Sequence, residues 1–315
     1  MSKLDGFFNV EEVKKKKKIL MFDFHNLVYR TIFISAKDYK DKRFQYVGGM
    51  SNDDFTKEDM YHNWKTMIIN SLLYAIRDKG ADKVIIANDT KNSWRKSVYS
   101  EYKANRKDAR TDSIVDFEEF FPILEEFTKE LESWFTNFYF LKIDRCEGDD
   151  IIAVLTKKYG NSPDYEIELI STDKDFIQLQ HYLNFKQYNP TKKEYVISLN
   201  PKKDLEIKIL TGDNSDNIPN VKPRLGVKTA EKLLNEGLVD LENDAEFKEN
   251  YIRNKTLIDF SKIPDDIEEV ILHKYENYDI KPIDGIKLGY WLDENNFKVV
   301  HNEWHLFYNI IKDLS

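Results

Sequence analysis

The sequence predicts an α/β fold in which helices flank a mostly parallel central sheet, with a smaller helical C-terminal domain. Two observations support this prediction. Short apolar runs alternate with helical patterns as far as residue 200, and strand signals fade after Pro201. The chain has 315 residues, 41% of them hydrophobic, which is enough for one large domain and a smaller one.

The first half of the chain contains two strand patterns and two helical ones. ILMFDF and KVIIAND are apolar runs typical of buried strands, and a helix is expected through NLVYRTIFIS. Residues 56–80 carry apolar side chains at helical spacing, and Thr56 with Asp59 resembles a capping box. The stretch DFEEFFPILEEFTKELESWF that follows is acidic and amphipathic.

The second half begins with a third strand, NFYFLKI, and a helix over EGDDIIAVLTKKYG that ends at Gly160. EIELIST is the next strand, followed by a short helix over DFIQL, while LNFKQYN and KEYVISL are expected either to pair as a hairpin or to lie as two edge strands. Five consecutive lysines end a solvated N-terminal segment. We therefore expect a flexible tail at 1–17, a core domain at 18–200 and a helical region at 201–315.

The composition excludes several classes of protein. No run approaches the roughly 18 apolar residues of a membrane span, and the N-terminus lacks the apolar core of a signal peptide. The only cysteine, Cys146, rules out an internal disulfide framework and a thiolate zinc site, and it fits a reducing compartment. The motifs GxxxxGK[ST] and GxGxxG do not occur, so nucleoside triphosphate and dinucleotide pockets lack support.

The charge distribution tells more about partners than the net charge of −8 does. An acidic protein is a poor match for nucleic acid, because phosphate binders are usually basic. Residues 91–110, however, hold seven basic residues against Glu101 and Asp108, a local charge of +5. A basic strip beside bound metal ions can still attract a phosphodiester backbone.

Nine acidic residues stand in five clusters, each at the predicted start or end of a strand or helix. Ligands bind beyond the carboxyl ends of parallel strands, so these side chains are expected to converge. Carboxylates gathered in one crevice repel unless cations hold them, and magnesium prefers oxygen ligands. An acidic magnesium site indicates phosphate chemistry. The nine residues are Asp23, Asp89, Glu147, Asp149, Asp150, Asp173, Asp175, Asp213 and Asp216.

Each cluster also has an ordinary structural explanation. The three acids of EGDD could cap the start of a helix, the two of STDKD could form a turn with a cap, and the two of GDNSD could form an Asx turn. Taken alone, each pair is better explained in that way. All five clusters at element boundaries together favour a metal site.

The basic segment contains the sequence YKANR. If this is helical, Lys103 and Arg106 present two cations toward the acidic residues, with Tyr102 beside them. A lysine in that position could stabilise the charge that develops on a phosphate during attack, and the tyrosine could stack on a base. The alternative is a solvated basic helix.

With these motifs in place, the chain resembles the 5′ nuclease (flap endonuclease) family, most closely the ribonucleases H of T-even bacteriophages. EGDDIIAV, STDKDF and GDNSDNIP carry the resemblance over roughly residues 18–235, together with Asp23, Asp89 and an R…YK..R pattern that begins at Arg95. It implies a magnesium-dependent 5′ to 3′ exonuclease and flap endonuclease. Such an enzyme hydrolyses phosphodiester bonds of RNA primers and DNA 5′ ends during phage lagging-strand replication, in the cytoplasm of the bacterial host.

The resemblance also implies the roles of individual residues. Two Mg²⁺ ions, which Mn²⁺ can replace, are expected in the site. One would be surrounded by Glu147, Asp149, Asp150 and Asp173, and the other by Asp175, Asp213 and Asp216. Asp23 and Asp89 would contribute directly or through water, and the catalytic set is expected to comprise Asp23, Asp89, Lys103 and Arg106.

Nucleic-acid contacts are implied in two further regions. The segment at about 91–135 would form a basic arch over a single-stranded 5′ end, and residues 212–235 would form a helix–three-turn–helix element on duplex backbone. The turn NVKPRLGVKTA is poor in glycine compared with the family pattern, since only Gly226 remains. The residues implied in nucleic-acid contacts are Arg95, Tyr102, Lys103, Arg106, Lys222, Lys228 and Lys232.

The partners expected are branched or nicked duplex DNA and RNA–DNA hybrids with a 5′ single strand. SKLDGFF resembles short peptides that dock on sliding clamps, with Leu4, Phe7 and Phe8 as anchors, although a disordered tail with chance aromatic residues fits equally well. A single-strand binding protein on the C-terminal helices and a monomeric state are also expected, without membrane contact. Two other functions stay open: a structure-specific binding protein without catalysis, and a smaller single-strand ribonuclease.

Overall fold

The computed structural model of the chain describes residues 15–41, 55–111, 113–238, 244–297 and 303–314. Its centre is a six-stranded sheet in the order β3-β2-β1-β4-β5-β6. The first five strands run parallel and β6 is antiparallel to β5, so the predicted α/β fold is confirmed and the last two strands form the hairpin. The strands are β1 (Lys17–Asp23), β2 (Lys83–Asn88), β3 (Tyr139–Lys142), β4 (Tyr165–Ile170), β5 (Phe185–Asn189) and β6 (Glu194–Val196).

Helices surround this sheet and continue after it. Thr56 and Asp59 form the expected capping box at the start of the second helix. None of the helices in the described ranges is long and apolar enough to cross a bilayer. The helices are α1 (Phe24–Asp41), α2 (Lys57–Lys79), α3 (Arg95–Val98), α4 (Arg106–Thr111), α5 (Phe117–Trp134), α6 (Gly148–Tyr159), α7 (Pro201–Thr211), α8 (Val227–Asn235), α9 (Ala245–Ile258), α10 (Asp265–Glu276), α11 (Gly285–Glu294) and α12 (Trp304–Ile311).

The central strand β1 is apolar on both faces because helices cover both of them. Leu20 and Phe22 join a core with α2 and α5, whereas Ile19 and Met21 face the opposite way and join a core with α6 and α10. A parallel strand covered on both faces reads as a continuous apolar run. The register pairs Asp23 with Ala87, so the strand-end carboxylate stands level with the end of β2.

The helices after Pro201 divide between two environments. Helices α7, α8 and α9 form a cluster of their own around Leu210, Ile218 and Phe247. Helices α10 and α11 instead return to the sheet, where Ile271 and Leu288 are buried in its two core layers. The helical C-terminal region is thus packed tightly against the α/β core.

Candidate active site

Four carboxylates stand together at the carboxyl edge of the sheet, and we call them the strand-end acids. Burial, and then the neighbouring Asp89 and Asp173, raise the pKa of Asp23 to about 7. Burial also raises the pKa of Asp149 well above its usual range, followed by repulsion from Asp23 and Asp173. These mutual effects indicate like charges held close together in a poorly solvated place. The strand-end acids are Asp23, Asp89, Asp149 and Asp173.

Local bonds fix the orientation of these acids. Asp23 accepts hydrogen bonds from the Ser171 hydroxyl at 2.8 Å and from the Asn26 amide at 3.1 Å. Asp89 accepts one from the Gly148 amide at 2.7 Å. A Cβ at Gly148 would lie 3.1 Å from the Ala87 carbonyl oxygen, so a glycine lets the start of α6 approach the end of β2 closely.

A second group of acids is joined by a lysine. The Lys208 ammonium lies 2.7 Å from Asp213 Oδ2 and also contacts Asp175 Oδ1. Burial opposes ionisation of Asp213, but Lys208 outweighs it and lowers the pKa of Asp213 to about 2. Burial and Asp173 still raise the pKa of Asp175 to about 6, because one ammonium is shared by several carboxylates.

A third group links Glu147 and Asp216 to the basic segment. Tyr102 Oη lies 2.9 Å from Glu147 Oε2 and 3.1 Å from Asp216 Oδ2. The Lys103 ammonium contacts Glu147, and Arg106 Nη2 lies 2.6 Å from Asp216 Oδ1. Burial works against ionisation of Glu147, yet Lys103 and Arg95 lower its pKa to about 2. These ion pairs hold the basic segment in contact with Glu147 and Asp216.

The remaining acid, Asp150, is turned into the protein. It is fully buried, with Arg95 Nη2 2.8 Å from its Oδ1, and it accepts hydrogen bonds from the Trp94 indole at 3.2 Å and the Glu147 amide at 2.9 Å. Successive helical residues point about 100° apart, so Asp149 and Asp150 diverge. The expected ion ligand Asp150 and the expected DNA contact Arg95, only 2% exposed, therefore neutralise each other.

The YKANR segment is a turn rather than a helix as far as Asn105. Lys103 adopts a left-handed conformation with φ 58, and helix α4 begins only at Arg106. The turn nevertheless brings both cations onto the acids. Tyr102 is 3% exposed and packs with the α7–α9 cluster, so its ring is not available for stacking on a base in this arrangement.

The expected partition of the acids between two ions stays a prediction. Asp213 starts a short 3-10 turn, where it accepts from the Ser215 amide in an Asx turn, and Asp216 ends the turn facing Arg106. In the described part of the chain, no three carboxylate, imidazole or thiolate side chains stand close enough to hold one ion as they lie. The donor set still fits a hard divalent cation, because its oxygens carry more negative charge than the adjacent side-chain cations neutralise.

A groove of about 1080 Å³ lies beside these acids. Asp89 and Glu147 line one part of it, and His25 stands with its Nδ1 3.9 Å from Asp89 Oδ2. Helix α5, which occupies the second half of the expected arch, buries Phe120 and Phe127 in the core and contributes only one face to the groove. Basic side chains complete its lining: Lys91, Lys96, Lys103, Arg106, Arg110 and Lys142.

The turn between α7 and α8 has the form expected of a helix–three-turn–helix element. Gly212 is required at its start, because φ is 68 and a Cβ there would lie 2.3 Å from the Ile218 carbonyl oxygen. Lys228 is exposed in the first turn of α8. Lys222 is paired with Asp244 at 3.1 Å and Lys232 with Glu236 at 3.7 Å. The expected clamp anchors Leu4, Phe7 and Phe8 lie outside the described residues.

Sequence reasoning missed three side chains at the site: Lys208, His25 and Trp94. Lys208 had a usable signal, since it interrupts the apolar run of α7 five positions before Asp213. His25 follows the first strand-end acid by two positions. No pattern in the sequence indicated Trp94, because its hydrogen bond joins it to Asp150, which is 56 positions away in the chain.

Comparisons with known proteins agree on one family. The model of the 5′–3′ exonuclease N-terminal resolvase-like domain matches residues 18–208. Ribonuclease H of Enterobacteria phage T4 is 29% identical over 291 residues, which is 85% of this chain and 89% of that protein. The 5′–3′ exonuclease of Buchnera aphidicola subsp. Schizaphis graminum is 32% identical over 228 residues, 70% of each chain.

The fold is also that of a solved enzyme. The T5 D15 flap endonuclease, crystallised as a pseudo-enzyme-product complex with DNA and metal ions, superposes with a TM-score of 0.59 at 18% identity, over 83% of this chain and 100% of that one. The family model covers well over half of the sequence. The chain therefore belongs to the 5′–3′ exonuclease family and is a nuclease, an enzyme that hydrolyses phosphodiester bonds.

Proposed function

We propose that this protein is a magnesium-dependent 5′ to 3′ exonuclease and flap endonuclease that removes RNA primers and DNA 5′ ends. The observation that carries the proposal is the convergence of carboxylates from the ends of β1, β2 and β4 and from the start of α6, with Lys103 and Arg106 reaching them from the basic segment. Unneutralised acids in a basic groove suit a phosphodiester held by divalent ions.

The strand-end acids are the best candidates to hold a first ion. A second ion would be held by Asp175 and Asp213, together with Glu147 or Asp216. Bound divalent ions supply an activated water and stabilise the attacking and leaving oxygens. Asp150 is assigned a positioning role, because its oxygens are already engaged by Arg95 and Trp94. Lys103 and Arg106 have the charge to stabilise the phosphate once ions take over their carboxylate partners.

Two regions are proposed to bind the substrate. The groove under residues 95–111 has the basic lining and the proximity to Asp89 that a single-stranded 5′ end needs. The turn around Gly226 has open space, the exposed Lys228 and the first amides of α8, which have no partner inside the helix, and these features suit duplex backbone. Together they would place the junction between single and double strand at the acids.

The biological setting follows from the phage relatives and is part of the proposal. We place the enzyme in lagging-strand replication, in the cytoplasm of an infected bacterium, acting as a monomer. A sliding clamp bound through Leu4, Phe7 and Phe8 and a single-strand binding protein on the C-terminal helices are the expected protein partners. T4 ribonuclease H and the T5 flap endonuclease motivate this setting.

The decisive experiment uses 5′-labelled flap, nicked and RNA-primed duplexes with Mg²⁺, with Mn²⁺ and with EDTA. We expect cleavage only with a divalent ion, and a loss of roughly 10³-fold or more in Asp149→Asn. Asp265→Asn, an exposed acid at the start of α10, is the matched control and should cleave normally.

Other outcomes would overturn the proposal in distinguishable ways. Tight flap binding without any cutting would indicate a binding protein, and cleavage confined to free RNA would indicate a single-strand ribonuclease. Full activity in EDTA, or in Asp149→Asn, would remove the metal mechanism.

A further inference from the structure

Lys208 stands among acids that the proposed function assigns to a metal ion. Its ammonium lies 2.7 Å from Asp213 Oδ2 and contacts Asp175 Oδ1, whose residues are 38 positions apart in the chain. Two carboxylates share this one positive charge, and a third, Asp173, stands beside them, because it accepts a hydrogen bond from the Asp175 amide at 2.8 Å. The ammonium therefore sits between oxygens that a divalent cation would otherwise bridge.

Arg95 and Lys208 differ in how firmly they are held. Arg95 is 2% exposed, pairs with Glu147 and Asp150, and donates through Nε to the Leu257 carbonyl at 2.8 Å. The Lys208 side chain keeps 26% of its surface exposed. A lysine is a point charge on a flexible stem, whereas a guanidinium is fixed by its planar fork. Lys208, unlike Arg95, can move its charge into solvent without unpacking a core.

We propose that Lys208 is an exchangeable internal counter-ion that occupies the second-ion position of the metal-free enzyme and must leave it before that ion binds. This inference rests on the proposed function. The ammonium holds Asp175 and Asp213 in place without metal, and it competes with the incoming cation. The second ion consequently binds more weakly than it would to the same carboxylates without the lysine.

The test is direct binding of Mn²⁺ to the full-length protein, measured by calorimetry and by the electron paramagnetic resonance of free Mn²⁺. In Lys208→Gln the weaker Mn²⁺ site should tighten by about tenfold or more, since the ion no longer displaces a positive charge at contact distance. Lys208→Arg keeps the charge in a less mobile side chain, so its weaker Mn²⁺ site should bind no more tightly than that of the wild type.

Lys203→Gln is the matched control. Lys203 lies on the same helix α7 and is paired with Glu231 at 3.0 Å, so the change in net charge is identical but distant from the acids. Its Mn²⁺ affinities should equal those of the wild type. Circular dichroism and metal-free thermal unfolding establish that each variant folds, and Lys208→Gln should melt at a lower temperature because two carboxylates lose their partner.

The outcomes separate this inference from the proposed function. Unchanged or weaker Mn²⁺ binding in Lys208→Gln overturns the counter-ion role, and so does equal tightening in Lys208→Arg or Lys203→Gln. If the wild-type protein binds no Mn²⁺ at all, the metal-dependent function itself fails. If both sites bind and only Lys208→Gln tightens the weaker one, the inference stands.

Discussion

Replacing Asp23 by Asn should stabilise the metal-free protein at alkaline pH while it abolishes cleavage. Burial and the neighbouring Asp89 and Asp173 raise the pKa of Asp23 from an ordinary 3.8 to about 7. A shift of about 3 units corresponds to roughly 4 kcal/mol of unfolding free energy lost when the carboxylate is ionised. Asn cannot ionise, so it removes this cost.

The direction in which stability changes with pH follows from proton binding. A carboxyl group whose pKa is raised by folding keeps its proton longer in the folded state, so its contribution to stability is greatest below pH 4 and falls as the pH rises to about 7. At pH 5 the folded Asp23 is protonated but the unfolded one is already ionised, which costs the wild type about 1.6 kcal/mol; the weakened hydrogen bonds of the variant offset most of this, so its net gain should be under about 1 kcal/mol. At pH 8 we expect a gain of roughly 2–3 kcal/mol, after about 1 kcal/mol for weakened bonds to Ser171 and Asn26.

The assay is urea unfolding in EDTA at pH 5 and pH 8, with Asp265→Asn as an exposed control that should change stability by less than about 0.5 kcal/mol. Adding Mg²⁺ should stabilise the wild type more than Asp23→Asn, because the ion then relieves the same repulsion. A variant no more stable than the wild type at pH 8, or equally stabilised at both pH values, would refute the reasoning.

Three further predictions concern the basic residues. Arg95→Ala should lower the unfolding free energy by about 3–5 kcal/mol in urea titrations, because it leaves the buried Asp150 without its cation; a loss under 1 kcal/mol would contradict this. Lys103→Ala should fold normally by circular dichroism but lose roughly 10²–10³-fold in single-turnover cleavage, and wild-type rates would remove its catalytic role. Lys228→Gln should weaken duplex binding uniformly across sequences and reduce the slope of log affinity against log salt by about 1. The control Lys186→Gln, an exposed lysine of β5, should not change the slope, and equal slopes for both variants would exclude the contact.

The positions of Asp23, Asp89 and Asp173 could be predicted from the sequence because two simple rules fix them. The first rule is that apolar runs indicate the strands β1, β2 and β4. The second is that parallel strands bring their carboxyl ends to one edge of the sheet. Asp23 and Asp89 therefore had to lie close together once the runs were recognised. The capping box of α2 was equally local, since it depends on three consecutive peptide units.

Other features depend on contacts that no local pattern encodes. Whether Asp149 or Asp150 faces the acids depends on the rotation of α6, which Gly148 and Arg95 set jointly. Tyr102 belongs to a polar sequence, yet it is buried because its hydroxyl meets Glu147 and Asp216 from distant segments. Such side chains become visible only when the packing is known.

The contacts of the Arg95 guanidinium couple the α7–α9 bundle to the rest of the protein. The guanidinium bonds Asp150 at the start of α6 and the Leu257 carbonyl near the end of α9. Detaching the α7–α9 bundle would leave the Arg95–Asp150 pair intact but would break the hydrogen bond from Arg95 Nε to the Leu257 carbonyl, which costs about 1.5–3 kcal/mol for a charged donor. This bond couples the bundle to the start of α6, so we expect a movement of the proposed duplex-binding element to alter the surroundings of Glu147 and Asp150.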